Sequence, residues 1–394
     1  MAVKKLKKVN LYNNEYSIIG SSSGGGGGGM AVSTFNRWLR FDFTKANRRS
    51  VKILGGTSIG IGDDVIVFDE DTSVDLSSYL GDNGADYYVF VNADGNVTAS
   101  VYRNPPAGYV FIGQFHTLCV DVGSNVTGIV PTNKTTVGQS VTLQGYDALK
   151  DNDFYNFYTK QILSITTGNY YNVATIPHLL SGFKAGDILP ESVWCLNFHP
   201  ECKSWDGMVY CNSFDIAVDI YLQSGTSKDT PSEYGAVKTC NRPELNHWDD
   251  FYQVGKDFLN IQQFMSIAQG SNELTTIEGS YDHETTGGHV DVNNRRMVSF
   301  IGCEDCCGYV WQWNQWITEE EFNSCDPSIN PYAKADGQGS LGSCHDNFRP
   351  VIAGGAWYPI YLGFAGSRCF AGAASWLAVS PRTGGRGRAE ISVV

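Results

Sequence analysis

The side chains best suited to chemistry fall in three places along this 394-residue chain. His283, Glu284 and His289 share one Gly- and Thr-rich stretch, with Asp282 and Asp291 beside them. Imidazoles and carboxylates can ligate zinc, but this spacing follows no metal-binding template, so a polar loop is expected and no metal is assigned. Cys303-Glu304-Asp305-Cys306-Cys307 holds a C-x-x-C pair. Redox or zinc use of such a pair calls for a helix start or a second pair, and neither is evident, which leaves a structural disulfide or free thiols. Gly-x-Ser-x-Gly, P-loop and dinucleotide-binding glycine patterns are absent. The expectation is therefore a non-enzyme without a cofactor.

The third place is the C-terminal segment from Gly354 to Gly385, GGAWYPIYLGFAGSRCFAGAASWLAVSPRTGG. It contains no Lys, Glu, Gln, Met, Asp, Asn or His, and sets Tyr, Phe, Trp and Arg among small residues. Adaptable binding loops use this mixture, with rigid aromatics or Arg as anchors and Gly and Ser between them. Composition alone equally allows a tightly packed core segment.

The elements that must position these residues are mostly strands. Residues 1–29 read as an anchoring segment followed by a tether. Lys4, Lys5, Lys7 and Lys8 form a solvated tail, and Gly20-Ser21-Ser22-Ser23 with Gly24 to Gly29 make a flexible linker reaching about 18 Å. Residues 30–122 read as a β-sandwich. Asp86–Asn92 and Val97–Tyr102 flank an Asp94-Gly95 turn as a hairpin, and Tyr109–Gly113 follows as a strand. Residues 123–185, rich in Ser, Thr, Asn and Gly, read as a connection or insertion.

Residues 186–394 mix types. Strands are expected over Val193–Phe198, Gly207–Tyr210 and Phe214–Leu222. Leu245, Trp248 and Tyr252 recur at helical spacing before Gly255, and their face is expected to be core. A second helix is expected after Asn260, an N-cap with Gln263 three residues on, with Ile261, Phe264, Met265 and Ala268 on one face.

Charge and cysteine usage narrow the function. Forty-one acids against 28 bases give a net charge of −13, which disfavours a nucleic-acid partner. No stretch is apolar enough to span a membrane, and no apolar segment of a secretory signal follows the Lys-rich start. Eleven cysteines, nine of them between Cys195 and Cys344, allow disulfides in the second half if the protein meets an oxidising medium.

Gly354-Gly355-Ala356-Trp357, Gly366-Ser367-Arg368 and Gly385-Arg386-Gly387 together resemble the variable proteins of diversity-generating retroelements. Gly308-Tyr309-Val310-Trp311-Gln312-Trp313 looks like that family's Trp-rich core strand, and the Asp86 hairpin through His116 looks like the β-sandwich of its phage receptor-binding members. The resemblance implies an α+β fold class, an N-terminal β-sandwich followed by a C-terminal C-type-lectin-like domain over 186–394, with the variable region at about 354–387. It also implies a homotrimer, attachment to the virion through the N-terminus, display on a virus tail fibre, and a host-surface receptor, expected to be a protein. Adenine-directed mutagenesis of AAC or AAT codons cannot yield Lys, Glu, Gln, Met or Trp. The absence of the first four fits, and Trp357 and Trp376 are assigned to the scaffold with Arg368 and Arg386. The ligand-binding residues implied are Ala356, Tyr358, Pro359, Ile360, Tyr361, Ala371, Ala373, Ala374, Ala378, Ser380, Arg382 and Thr383, all expected on one exposed surface.

Two other functions compete. Formylglycine-generating enzymes share the Trp-rich strand, but their resemblance implies two C-terminal cysteines where this segment has only Cys369. Calcium-dependent sugar lectins use Glu-Pro-Asn and Trp-Asn-Asp ligands, whereas this chain has Trp313-Asn314-Gln315 and no Glu-Pro-Asn.

Overall fold

The computed structural model describes residues 3–7, 37–124, 127–145, 156–167, 172–278, 283–318, 349–357, 366–372 and 380–393. Among the described residues the fold is mostly β, with two short α-helices rather than a balanced α+β content.

The largest sheet is built around the last strand. Gly387–Val393 pairs with Ile216–Asp219 on one side, and with Phe198–Pro200 and Asp257–Phe258 on the other. From Phe198–Pro200 the sheet continues through Trp194–Cys195, Tyr109–His116 and Asp86–Asn92 to Val97–Ser100. Gly95 supplies the positive φ that the hairpin turn needs, at 80°, and the Asn92 side chain accepts from the amides of Asp94 and Asn96. The expected strand over Val193–Phe198 is split into two strands by a turn at Leu196 and Asn197.

This sheet crosses the expected limits at 122 and 186, because Trp194 and Cys195 register with Gln114 and Gly113. One apolar core correspondingly runs from Leu39 through Phe115, Trp194 and Tyr221 to Ala389. A three-stranded sheet of Leu39–Phe41, Ser50–Ile53 and Thr72–Asp75 contributes to it. Val3–Lys7, expected as a solvated tail, is a strand paired along Asp64–Phe68. The Gly-rich tether lies outside the described residues.

The stretch 123–185, expected as a connection, carries strands of its own. Thr127–Thr132 and Ser164–Thr166 flank Asn172–Pro177, and Ser140–Gly145 pairs with Asn156–Gln161. Val130, Val141, Ile162, Ala174, Ile176 and Phe300 form a small separate core there.

Both helices form, and their faces differ from each other in kind. Helix α1 spans Glu244–Gln253 and helix α2 spans Ile261–Ile267. α2 starts as expected: the Asn260 side chain accepts from the Gln263 amide, and the Gln263 side chain accepts from the Asn260 amide, a complete capping box. α1 reverses the expectation for its apolar face. Leu245, Trp248 and Tyr252 are 43%, 51% and 78% exposed, while Glu244, His247, Asp250 and Phe251 are buried. Hydrogen bonds make the polar side the inner side. Gln223 donates to Asp250 Oδ2 at 2.8 Å and meets His247 Nδ1 through its Oε1 oxygen, and Ser227 N donates to Asp250 Oδ1 at 2.7 Å.

Candidate ligand-binding face

The C-terminal segment is threaded through a four-stranded sheet, in the order Gly366–Gly372, Arg349–Gly354, Trp311–Thr318, Thr383–Gly384. Gly354 closes the second of these strands with φ near 90°. A Cβ there would lie 2.4 Å from the Cys306 carbonyl oxygen, so both the conformation and the space require glycine. Beyond it, Ala356 bridges in parallel to Tyr309, and the Trp357 amide donates to the Tyr309 carbonyl at 3.0 Å.

Trp357 is half-buried against the cluster of Leu222, Ile277, Met297, Tyr309 and Val310. At the other end of the segment, Ser380 accepts from the Asn241 amide at 3.0 Å, and the Trp311 amide donates to the Arg382 carbonyl at 2.8 Å. The segment is thus held at both ends by rigid backbone pairing.

Arg386 is the deepest anchor. It is fully buried, and its Nε donates to Gln312 Oε1 at 2.9 Å. Its remaining donors serve the carbonyls of Asp219 and Ile220, at 2.7 and 2.6 Å, and that of Glu304. Gln312 in turn donates to the carbonyls of Asp305 and Cys306, each at 3.0 Å. Next to it, Lys256 and Asp219 form a buried ion pair at 2.6 Å, and the Gly387 amide donates to the same carboxylate. A planar fork with five donors matches this converging set of carbonyls, which an ammonium could not.

The twelve expected ligand-binding residues divide accordingly. Ser380 and Arg382 are partly exposed, and Ala371 lies on Gly366–Gly372 opposite Ile352. Ala356 and Thr383 are corrections: at 1% and 7% exposure both are buried, because each belongs to a backbone pairing with the 309–312 stretch. Tyr358, Pro359, Ile360, Tyr361, Ala373, Ala374 and Ala378 lie outside the described residues, as does Trp376. Arg368 lies on the strand Gly366–Gly372.

The titratable stretch near His283 has structural partners. His289 Nδ1 sits 3.0 Å from both oxygens of buried Asp305, whose carboxylate also accepts from the Gly287 amide. Burial works against the His289 charge, but the Asp305 carboxylate outweighs it and raises the imidazole above its ordinary value. Glu304 is buried against Arg296 at 2.6 Å, and Asp291 pairs with Arg295 and Thr275. Among the described residues no three His, Cys, Asp or Glu side chains converge as a metal site. Asn314 is fully buried, with its amide donating to the Gln312 carbonyl, so it is not presented as a calcium ligand. Cys119, Cys195, Cys202, Cys211, Cys303 and Cys306 are free thiols, and burial pushes the Cys303 thiol well up, which leaves it inert.

No protein-family profile matches the sequence. Over 346 residues it is 22% identical to the tail fiber receptor-binding protein of Bordetella phage BPP-1, covering 80% of this chain and 73% of that protein. Among solved structures, the I1 variant of the major tropism determinant superposes with a TM-score of 0.61 at 18% identity, covering 89% of this chain and 83% of that one. The M1 variant superposes with a TM-score of 0.60 over the same shares. The resemblance carried by the C-terminal Gly-Trp and Gly-Arg motifs therefore extends along most of the molecule: this chain has the fold of the major tropism determinant variants and is similar in sequence to a phage tail-fibre receptor-binding protein.

Proposed function

We propose that this protein is the receptor-binding tip of a viral tail fibre, a variable binding protein displayed on the virion surface. Its C-terminal segment forms the face that meets the host. The observation that carries the reading is the anchoring of that segment. Trp357 and Arg386 tie its two ends into buried structure, while Ser380 and Arg382 between them reach solvent. Loops held by a rigid frame can change side chains without unfolding it, which is what a variable binding surface needs.

On this reading, residues 186–394 form the C-type-lectin-like scaffold and 30–122 the sandwich that supports it. The ligand-binding set is Tyr358, Pro359, Ile360, Tyr361, Ala371, Ala373, Ala374, Ala378, Ser380 and Arg382, with Ala356 and Thr383 moved to the frame. The N-terminus attaches to the virion, the receptor is a host-surface protein, and no catalysis is involved. Three copies assemble, so that weak individual contacts act together.

Purified protein added to host cells before infection is expected to compete with the parent virus and reduce adsorption. A Tyr358→Ala/Tyr361→Ala variant is expected to lose that competition while keeping its melting temperature. Unimpaired adsorption at saturating protein would overturn the proposal. Sedimentation of the intact chain tests the trimer separately.

A further inference from the structure

Outside the C-terminal segment, a cleft of about 380 Å³ opens beside the strands Asp86–Asn92 and Tyr109–His116. Its size is at the small end of ligand pockets, enough for one compact molecule. Trp205 forms the aromatic wall. His199 stacks on the indole with centroids 4.2 Å apart and planes within 16°, and the Phe111 ring lies at 5.9 Å.

The polar wall is organised by Asp206. Tyr88 donates to its Oδ1 at 2.9 Å, Gln114 donates to the same oxygen at 3.1 Å, and Arg103 pairs with Oδ2. Arg103 also donates to Tyr88 Oη at 2.8 Å and to Ser204 Oγ at 2.5 Å. Burial raises the Tyr88 phenol, which keeps it a hydroxyl at neutral pH. Lys203 lines the same cleft, is exposed, and makes no ion pair among the described residues.

We infer that this cleft is a carbohydrate subsite that takes one pyranose ring bearing a carboxylate. An indole beside fixed polar groups suits a sugar, whose C–H faces are apolar and whose hydroxyls need donors and acceptors together. The network is already set by its own hydrogen bonds, so little ordering is left to the ligand. Arg103 and Asp206 cancel in charge, which leaves Lys203 as a single positive charge in a chain of net charge −13. One ammonium balances the single charge of a carboxylate and makes a charge-assisted hydrogen bond to it, whereas a phosphate dianion would leave one charge unbalanced.

The test is saturation-transfer NMR on the full chain, with glucuronic acid as the acidic probe and glucose as the neutral one. Transfer to glucuronic acid is expected to exceed that to glucose several-fold. Lys203→Ala, at an exposed position, is expected to reduce it to the glucose level with no change in Tm, and Trp205→Ala to remove it. No transfer from either sugar, equal transfer from both, or a glucuronic acid signal unchanged by Lys203→Ala would overturn the assignment. Should Trp205→Ala unfold the protein, Lys203→Ala still decides. A Tyr358→Ala variant is expected to leave the signal intact, so this subsite stands or falls apart from the C-terminal face.

Discussion

The Arg382 guanidinium lies over the Trp357 indole, 5.7 Å from the ring centroid, and so joins the two ends of the C-terminal segment across the sheet. Trp357 packs, half-buried, against an apolar cluster, and Arg382 is also partly exposed. Arg382→Ala is therefore expected to change receptor binding at a stability cost of about 1 kcal/mol or less, the usual worth of a partly exposed cation–π contact. Trp357→Ala is expected to cost about 2–4 kcal/mol, since half-buried aromatic packing is lost. Urea denaturation of both variants and the double variant checks this. A coupling indistinguishable from zero would show that the pair is only a neighbourhood.

The structure also separates what the sequence could disclose from what it could not. The hairpin from Asp86 to Ser100 was legible because β-branched and aromatic runs flank an Asp-Gly turn, all local signals. The start of α2 was legible for the same reason, since Asn260 and Gln263 are three residues apart. The inward face of α1 was not. Leu245, Trp248 and Tyr252 have the spacing of a core stripe, yet the helix turns them out because Gln223 and Ser227, about 20 residues upstream, hydrogen-bond its polar side. Ala356 and Thr383 are buried for a similar reason, as their partners in the 309–312 stretch are tens of residues away in the chain. The Gly366-Ser367-Arg368 and Gly385-Arg386-Gly387 motifs marked the frame, but the part played by Arg386 emerges only once the Asp219, Ile220 and Glu304 carbonyls converge on it.

Arg386 is expected to tolerate no conservative exchange. Arg386→Lys keeps the charge but cannot reach the Gln312 side chain and three carbonyls at once, so buried acceptors are left unpaired. A loss of about 3–5 kcal/mol is expected, comparable with breaking a buried charged network. Equilibrium denaturation measures it. A variant within about 1 kcal/mol of the parent would mean that water replaces the fork.

The His289–Asp305 pair predicts a pH window. The imidazole is raised when folded, so its contribution is fully present below the unfolded value of about 6.5 and is lost as pH rises through the higher folded value. Asp305 is lowered: burial opposes its charge, but His289 prevails. Its contribution is present above about pH 4 and is lost below it. The stability difference between the parent and His289→Gln is therefore expected to be largest near pH 5–6 and to shrink towards pH 9. A difference that grows with pH would contradict the pairing.

Glu244 predicts a second loss of stability with rising pH, from an unpaired group. It sits on the buried side of α1 at 4% exposure, and its Oε2 has no hydrogen-bond partner. Burial alone pushes its carboxyl up to about 8. The folded chain therefore holds this proton across a range in which the unfolded chain has released it, and stability falls as pH rises from about 4.5 to about 8. Glu244→Gln keeps the shape and removes the titration. The amide also lacks a partner, so the variant starts with a deficit that is independent of pH. His247, pushed down to about 3 by burial, adds a loss on the acid side that both proteins share and that cancels in the comparison. Relative to the parent, the variant is expected to gain on the order of 3 kcal/mol between pH 4.5 and pH 7.5. Denaturant midpoints at the two pH values give the difference directly. An unchanged gap would mean that Glu244 is solvated in solution and that the inner side of α1 is wetter than its burial indicates.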